Sequence, residues 1–251
     1  MSVDALDVLR TSFGSLKTST GQKLVAIFFV TQLLNIGSSY LMESMSMMVL
    51  ASALGLLGGL GAIVATIGGL RSLREDEVRL ENFTSNIIWP FGRILGANIT
   101  TAVFAYAVSL IFLGPAFIAG VTSGITSLTS LTGASLGILA LAVLGGILGI
   151  GALFYVSITM ILAQPFIAIE DMRMFEALDE SIQKTKNNRL SIFAAFLGLM
   201  VAYIGVAALM AIVSSFTPSP ELAQSGITAV LGAVMAPVSM KILEEFADQL
   251  S

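Results

Sequence analysis

Long apolar runs alternate with short charged segments along this chain, and the alternation predicts most of its architecture. Six apolar runs are long enough to cross a bilayer, since a spanning helix needs about 20 mostly apolar residues. They fall at residues 24–41, 49–70, 94–120, 134–163, 190–216 and 222–243. The predicted fold is therefore an all-α polytopic membrane bundle of six transmembrane helices, in a single integral membrane domain that covers residues 1–251.

Three charged segments carry apolar residues at helical spacing, a pattern typical of amphipathic helices at the membrane interface. The first segment covers residues 2–16, with Ser2 as its predicted N-cap and an apolar stripe of Leu6, Leu9, Phe13 and Leu16. The second covers residues 71–93. One helical face of it, which ends near Trp89 and Pro90, carries Leu80, Phe83, Ile87 and Phe91.

The third charged segment covers residues 165–189 and is the most charged block between two apolar runs. Glu170 and Asp171 are predicted to begin its helix, because acidic residues are favoured in a first turn. Phe175, Leu178 and Ile182 form its predicted buried stripe. We expect this interfacial helix to serve as a docking helix, so that aspartate at positions 178 and 182 would impair assembly or partner binding.

The basic residues predict the orientation of the bundle. With a cytoplasmic N-terminus, six crossings place all 12 Lys and Arg residues on the cytoplasmic face, and leave only Glu43 and Glu221 as charges on the opposite face. Positive residues in short loops set the orientation of membrane proteins. We therefore expect a multi-pass protein of the cell membrane with both termini in the cytoplasm.

Composition excludes several classes of function. Charged residues make up 11% of the chain and hydrophobic residues 56%, whereas soluble domains carry about 25% charged residues. Cysteine and histidine are absent and the formal charge is −4, which argues against zinc sites, imidazole bases and a nucleic-acid partner. Because no span carries a charge well inside it, a site for proton-coupled transport is not expected either. We therefore predict a non-enzyme with no catalytic, metal or cofactor-binding residues and no cofactor.

Small residues recur at four-residue spacing in two of the predicted spans. The second span carries Ala51, Gly55 and Gly59, and the fourth carries Gly145 and Gly149. Small residues let helix backbones approach closely in lipid. We expect the second and fourth spans to be central and closely packed; a hinge or a narrow pore is the less favoured interpretation.

Polar residues at membrane depth are the only candidates for a ligand path. Gln32 and Asn35 in the first span, and Gln164 at the end of the fourth, are the side chains concerned. They are expected either to line a cavity for a polar solute or lipid headgroup, or to hydrogen-bond neighbouring helices. The packing interpretation is favoured, because polar side chains commonly join helices in this way.

One motif in the third charged segment carries a family resemblance. Ala177 and Leu178 are followed by Ser181 and then by Thr185-Lys186-Asn187-Asn188-Arg189. This run resembles an uncharacterised prokaryotic six-helix membrane family, which includes the membrane region of some glycerophosphodiester phosphodiesterases and many stand-alone proteins. The resemblance implies a six-helix architecture and no activity, because no phosphodiesterase domain is present.

Two further expectations accompany the resemblance. Asn187 stands where the family carries glycine, and it is predicted to end the helix in the left-handed conformation, which glycine favours and asparagine tolerates. The acidic, cysteine-free and lysine-poor composition is typical of a halophilic archaeon.

Together these observations favour a non-enzymatic membrane scaffold or assembly protein. The alternative is a small carrier or channel for a neutral solute or lipid, with Gln32, Asn35 and Gln164 near its path. The expected partners are membrane lipids, and either a second copy of the chain or another membrane protein.

Overall fold

A computed structural model gives the structure of the chain and describes residues 3–42, 45–122, 133–214 and 220–250. Within these ranges every regular element is helical. The helices are α1 (Ala5–Ser15), α2 (Ser19–Met42), α3 (Met48–Glu75), α4 (Leu80–Thr84), α5 (Ile88–Thr122), α6 (Gly133–Met160), α7 (Ala163–Glu170), α8 (Met174–Thr185), α9 (Arg189–Ser214) and α10 (Pro220–Leu250). A 3₁₀ turn at Met45–Met47 precedes α3.

Six helical segments are long and apolar enough to cross a membrane, as the hydropathy pattern predicted. They are Ser19–Met42, Met48–Glu75, Ile88–Phe112, Val143–Glu170, Arg189–Ile212 and Gln224–Leu250. The fourth is interrupted, because α6 ends at Met160 and α7 resumes at Ala163 after a short turn. The chain is therefore a multi-pass helical membrane protein.

The first charged segment forms a helix that begins later than predicted. Asp4 is the N-cap of α1, and its Oδ1 accepts a hydrogen bond of 2.9 Å from the N–H of Leu6. Aspartate caps helices well because its side-chain oxygen satisfies an N–H that has no partner within the helix. The predicted cap, Ser2, lies outside the described residues.

The second charged segment is not the single amphipathic helix that its apolar spacing predicted. The spanning helix α3 continues to Glu75, α4 is one short turn, and α5 already begins at Ile88. Trp89 and Pro90 therefore lie in the first turn of α5, where proline is tolerated because its missing N–H would have no intrahelical partner. Asp76 and Asn86 break the segment, with φ values of 51° and 48°.

The second and fourth spans are each closely packed, as their small residues predicted, but the prediction that they are central is wrong, because α10 is the most buried span. α3 packs mainly against α2, and α6 packs mainly against α5. A Cβ atom added at Gly55 would lie 2.9 Å from Ser38 Oγ in α2, and one added at Gly145 would lie 2.5 Å from the carbonyl oxygen of Phe112 in α5. Gly55 and Gly145 therefore lie where helices that are neighbours in sequence approach each other.

The most buried part of the bundle lies at one end of the spans. The buried apolar cluster joins α1, α7 and α8 to the adjoining ends of the spanning helices. α10 is the most buried of the six spans, and it contacts α1, α2, α3, α7 and α9. The largest side chains in this cluster that are fully buried include Phe166, Phe246, Leu24, Leu162 and Ile242.

Candidate functional site at the basic end of the bundle

The buried cluster lies at the end of the bundle where all 12 Lys and Arg residues are found, which we name the basic end. Direct contacts join the helix ends there. The Thr20 hydroxyl donates a 2.8 Å hydrogen bond to the carbonyl oxygen of Asp76, and Arg74 forms a 3.1 Å ion pair with Asp248. The first, second and sixth spans are therefore tied together at this end.

Two arginines fasten α7 and the turn that follows it. Arg71 in α3 donates from Nε to the carbonyl oxygen of Ala168 at 3.0 Å, and from a terminal nitrogen to that of Ser85 at 2.7 Å. Arg93 in α5 donates to the carbonyl oxygen and the side-chain carboxylate of Asp171, at 2.7 and 2.6 Å. The last carbonyls of a helix lack intrahelical partners, so these guanidinium groups satisfy oxygens that would otherwise be unpaired.

The third charged segment is divided between two helices. Glu170 ends α7, and Asp171 has a φ of 55°, in the left-handed region. The prediction that these two acidic residues begin a helix is therefore wrong. α8 begins three residues after Asp171, where the side chain of Glu176 accepts a hydrogen bond of 3.4 Å from the N–H of Arg173.

The Ser and Thr of the family-like motif contact the end of α6. Ser181 and Thr185 are fully buried. The Ser181 hydroxyl donates to the carbonyl oxygen of Thr159 at 2.7 Å, and the Thr185 hydroxyl donates to that of Ser181 at 2.7 Å. Because Thr159 lies beside the break between α6 and α7, the motif stabilises a helix end that the break exposes.

The Asn and Arg of the motif hold the start of α9. The side-chain oxygen of Asn188 accepts a hydrogen bond of 3.4 Å from the N–H of Val3. The Arg189 guanidinium lies 4.5 Å from the centre of the Tyr155 ring in α6, a favourable geometry for a cation–π contact.

The left-handed conformation predicted for Asn187 is wrong. Among the described residues other than glycine, positive φ values occur at Asp76, Asn86 and Asp171 only. α8 instead ends in a tight turn, in which the N–H of Lys186 donates to the carbonyl oxygen of Gln183, and that of Asn188 to Thr185. Because these bonds continue the right-handed path of the chain into α9, the glycine-like conformation is not needed.

The predicted docking helix presents a different face from the one expected. Leu178 is buried, together with Ala177. Phe175 is 73% exposed and Ile182 is 38% exposed, so the prediction of a buried stripe is wrong for both. The small residues Ala177, Ser181 and Thr185 form the inner face beside Leu178, because the close approach of α8 to α6 leaves no room for larger side chains.

The three polar residues proposed for a ligand path do not come together. Asn35 contacts Gly58 in α3, and Gln32 contacts Gly232 in α10. Gln164 donates a 3.1 Å hydrogen bond from its side chain to the side-chain oxygen of Asn98 in α5. Each residue therefore lies at a different helix–helix contact.

Several other charged groups at the basic end form local ion pairs. Arg79 donates to Glu77 at 2.5 Å, and this hydrogen bond holds the pKa of the Glu77 carboxyl below its usual value. Lys241 pairs with Glu244 and, at 2.9 Å, with Glu245. The part of the chain that the structure describes holds no group of three acidic side chains close enough to bind a metal ion.

Sequence reasoning missed the structural roles of Arg71, Arg93 and Thr159. The two arginines were interpreted only as signals of orientation, and a carbonyl oxygen leaves no signal in the sequence. One pattern in the sequence could have indicated these hydrogen bonds. Arg71 and Arg93 each lie at a predicted boundary between a span and a surface segment, where helix ends are close to one another.

The fold defines a class, the multi-pass helical membrane proteins, with a buried core at its basic end. The chain belongs to the DUF7847 family, a domain of unknown function, whose sequence model matches residues 3–250. Comparisons with curated proteins and with solved structures give no match.

Proposed function

We propose that this chain is a non-enzymatic scaffold or assembly protein of the cell membrane, and that α8 is its docking helix. The observation that carries the proposal is the division of α8 into two faces. Its inner face is locked to α6 through Ser181 and Thr185, while Phe175 lies outside the core. A large apolar side chain held on a firmly packed helix is the kind of anchor that protein interfaces use.

The proposed orientation places the basic end in the cytoplasm, with both termini on that side. It rests on the position of all 12 basic residues at one end and on the rule that such residues stay in the cytoplasm. We propose further that α1 and α8 lie in the membrane interface. Leu6, Leu80, Trp89 and Leu190, all exposed near this end, supply apolar contacts with the headgroup region.

The alternative function, a small carrier or channel for a neutral solute or lipid, has weaker support. A solute path needs polar side chains that converge on one cavity. Gln32, Asn35 and Gln164 instead lie at three separate helix contacts.

Kinship with the membrane region of some glycerophosphodiester phosphodiesterases, and an origin in a halophilic archaeon, remain proposals. The first is supported by the motif, since Ser181, Thr185, Asn188 and Arg189 all make contacts that hold the architecture together. Because these residues make structural contacts, the shared motif supports a shared fold and gives no support for a shared activity. The origin in a halophilic archaeon rests on the acidic, cysteine-free and lysine-poor composition alone.

The proposal is tested with the double variant Phe175→Asp and Ile182→Asp. Both side chains lie outside the core, so the variant is expected to fold and to insert in the membrane. Mild detergent extraction followed by mass measurement should show wild-type chain in a stoichiometric assembly, either with itself or with a second protein, and the variant released from it. The control is Leu57→Asn and Ile204→Asn, which changes two exposed positions of the spans and should leave the assembly intact.

The carrier function is tested in the same preparation. Proteoliposomes that exchange a neutral solute or lipid, at a rate lowered by Gln32→Ala or Gln164→Ala, would overturn the scaffold proposal. An unchanged assembly in the docking variant would overturn it as well.

A further inference from the structure

An apolar crevice runs between α6 and α9 on the outside of the bundle. Two adjoining pockets make up the crevice, with volumes of about 340 and 270 Å³. Phe154, Ile158 and Phe193 line both, and the two phenylalanine rings meet edge to face with their centres 5.9 Å apart. Pockets that hold small ligands have volumes of about 300–1,000 Å³, so the two adjoining pockets together are large enough for part of a lipid.

The outer edge of the crevice is exposed toward the bilayer. Phe154 and Tyr155 on α6, and Leu197 and Met200 on α9, are all between 42% and 54% exposed. α6 and α9 make little contact with each other across it. An apolar gap that opens sideways into a bilayer is filled, because its lining atoms would otherwise lose their contacts.

One cationic side chain stands at the polar end of the crevice. Arg189 is the first residue of α9 and lines the larger pocket. Its guanidinium rests on the Tyr155 ring, and its buried Nε has no hydrogen-bond partner in the structure. Among the described residues no carboxylate pairs with it, whereas Arg74, Arg79 and Arg93 all have acidic partners.

We infer that this crevice binds an anionic phospholipid, with one acyl chain between α6 and α9 and the phosphate group at the Arg189 guanidinium. A guanidinium binds phosphate with strong, charge-assisted hydrogen bonds, and the position of Arg189 at a helix end matches the depth of a headgroup. A partner helix is a poorer occupant, because a helix with its side chains is about 10–12 Å across and the two pockets hold only about 340 and 270 Å³. The site is distinct from the docking surface proposed on α8.

The inference is tested by native mass spectrometry of the purified chain in detergent, titrated with phosphatidylglycerol or with phosphatidylcholine of the same acyl chains. Arg189→Gln should weaken binding of phosphatidylglycerol about tenfold, the loss expected for one charged hydrogen-bonded contact. It should weaken binding of phosphatidylcholine less, because the choline cation of that lipid offsets the charge of its phosphate. Arg189→Lys should retain part of the preference. Arg74→Gln is the control for a change of charge at the same end of the bundle.

A second variant tests the acyl-chain half of the site. A Cβ added at Gly151 meets no atom within 4 Å. Gly151→Leu should therefore occupy part of the larger pocket that Gly151 lines and weaken binding of both lipids. Gly205→Leu is its control, because Gly205 has equally open surroundings but does not line the crevice.

Four results would overturn the inference. The first is that Arg189→Gln and Gly151→Leu bind lipid as tightly as the wild type, and the second is that the two control variants lose as much lipid affinity as the test variants. The third is displacement of the lipid by free glycerol phosphate. The fourth is a lipid-free dimer of the wild-type chain that Gly151→Leu converts to monomers. The last would make a second copy of the chain the occupant. Melting temperatures of all variants within a few degrees of wild type ensure that the comparison is between folded proteins.

Discussion

At the scale of single residues, the polar side chains of this chain act mainly on helix ends. Arg71, Arg93 and Ser181 each donate to a backbone oxygen at or beside the point where a helix stops. Carbonyl oxygens there have no partner within the helix, and a buried one that stays unpaired is costly. Much of the charged block at the basic end therefore makes structural contacts, whereas the Phe175 side chain is exposed and the Nε of Arg189 has no hydrogen-bond partner.

The contact between Ser181 and Thr159 gives a prediction at this scale. Ser181→Ala removes the donor to a buried carbonyl oxygen and should lower the free energy of unfolding by about 1–3 kcal/mol, measured by thermal or denaturant unfolding in detergent. Ser52→Ala is the matched control, because the Ser52 hydroxyl is exposed and bonds only within its own helix. Equal losses in the two variants would contradict the role given to Ser181.

At the scale of helices, the sequence predicted what each segment is better than what it contacts. Hydropathy located six spans, because length and apolarity are properties of one segment alone. The small-residue pattern of α3 predicted that this helix is closely packed, but it did not predict which helix lies against it. A glycine indicates a close approach and gives no information about the partner helix. The break at Asp76 and Asn86 was missed for a related reason: the apolar spacing of residues 80–91 suits either a continuous helix or two packed pieces.

The candidate site was predicted least well, because its contacts join residues that are distant in sequence. Ser181 and Asn188 were recognised as parts of a motif, but their partners, Thr159 and Val3, are distant in sequence. Leu178 was correctly assigned to the core, whereas Phe175 and Ile182 were not, because an apolar stripe at the edge of a membrane can face protein, lipid or a partner.

The packing of α2 on α3 gives a prediction at the scale of helices. A side chain at Gly58 would collide with Asn35, whereas Gly59 next to it has open surroundings. Gly58→Leu should therefore lower the free energy of unfolding by about 1–3 kcal/mol, the usual cost of overpacking, and lower the melting temperature with it. Gly59→Leu should change both quantities little. Gly55→Leu, close to Ser38, should behave like Gly58→Leu. A tolerated Gly58→Leu would mean that the two helices are not packed as described.

At the scale of the whole molecule, the buried apolar core of the described residues is concentrated at the basic end of the bundle. The buried cluster occupies the basic end, while the middles of the spans carry many exposed apolar side chains, which suits contact with lipid. A firm platform that is anchored by six spans can hold a docking helix and a lipid headgroup at fixed positions. The buried core at one end and the lipid-exposed spans therefore support the scaffold proposal.

The orientation of the platform gives a prediction at this scale. Because the chain has no cysteine, single cysteines can be introduced at Asn187, exposed at the basic end, and at Ser46, exposed near the opposite end. A membrane-impermeant thiol reagent added to intact cells should label Ser46→Cys, and should label Asn187→Cys only after the membrane is opened. The reverse pattern would place the basic end outside the cell.

The most direct test of the scaffold proposal is crosslinking from α8 in intact membranes. Phe175→Cys carries a photoactivatable thiol crosslinker at the proposed docking face, and Ile204→Cys carries the same group at an exposed position of α9. We predict one specific protein adduct from position 175, either a second copy of the chain or a single partner, and lipid adducts only from position 204. Lipid adducts alone from both positions, or the same proteins from both, would contradict a docking function for α8.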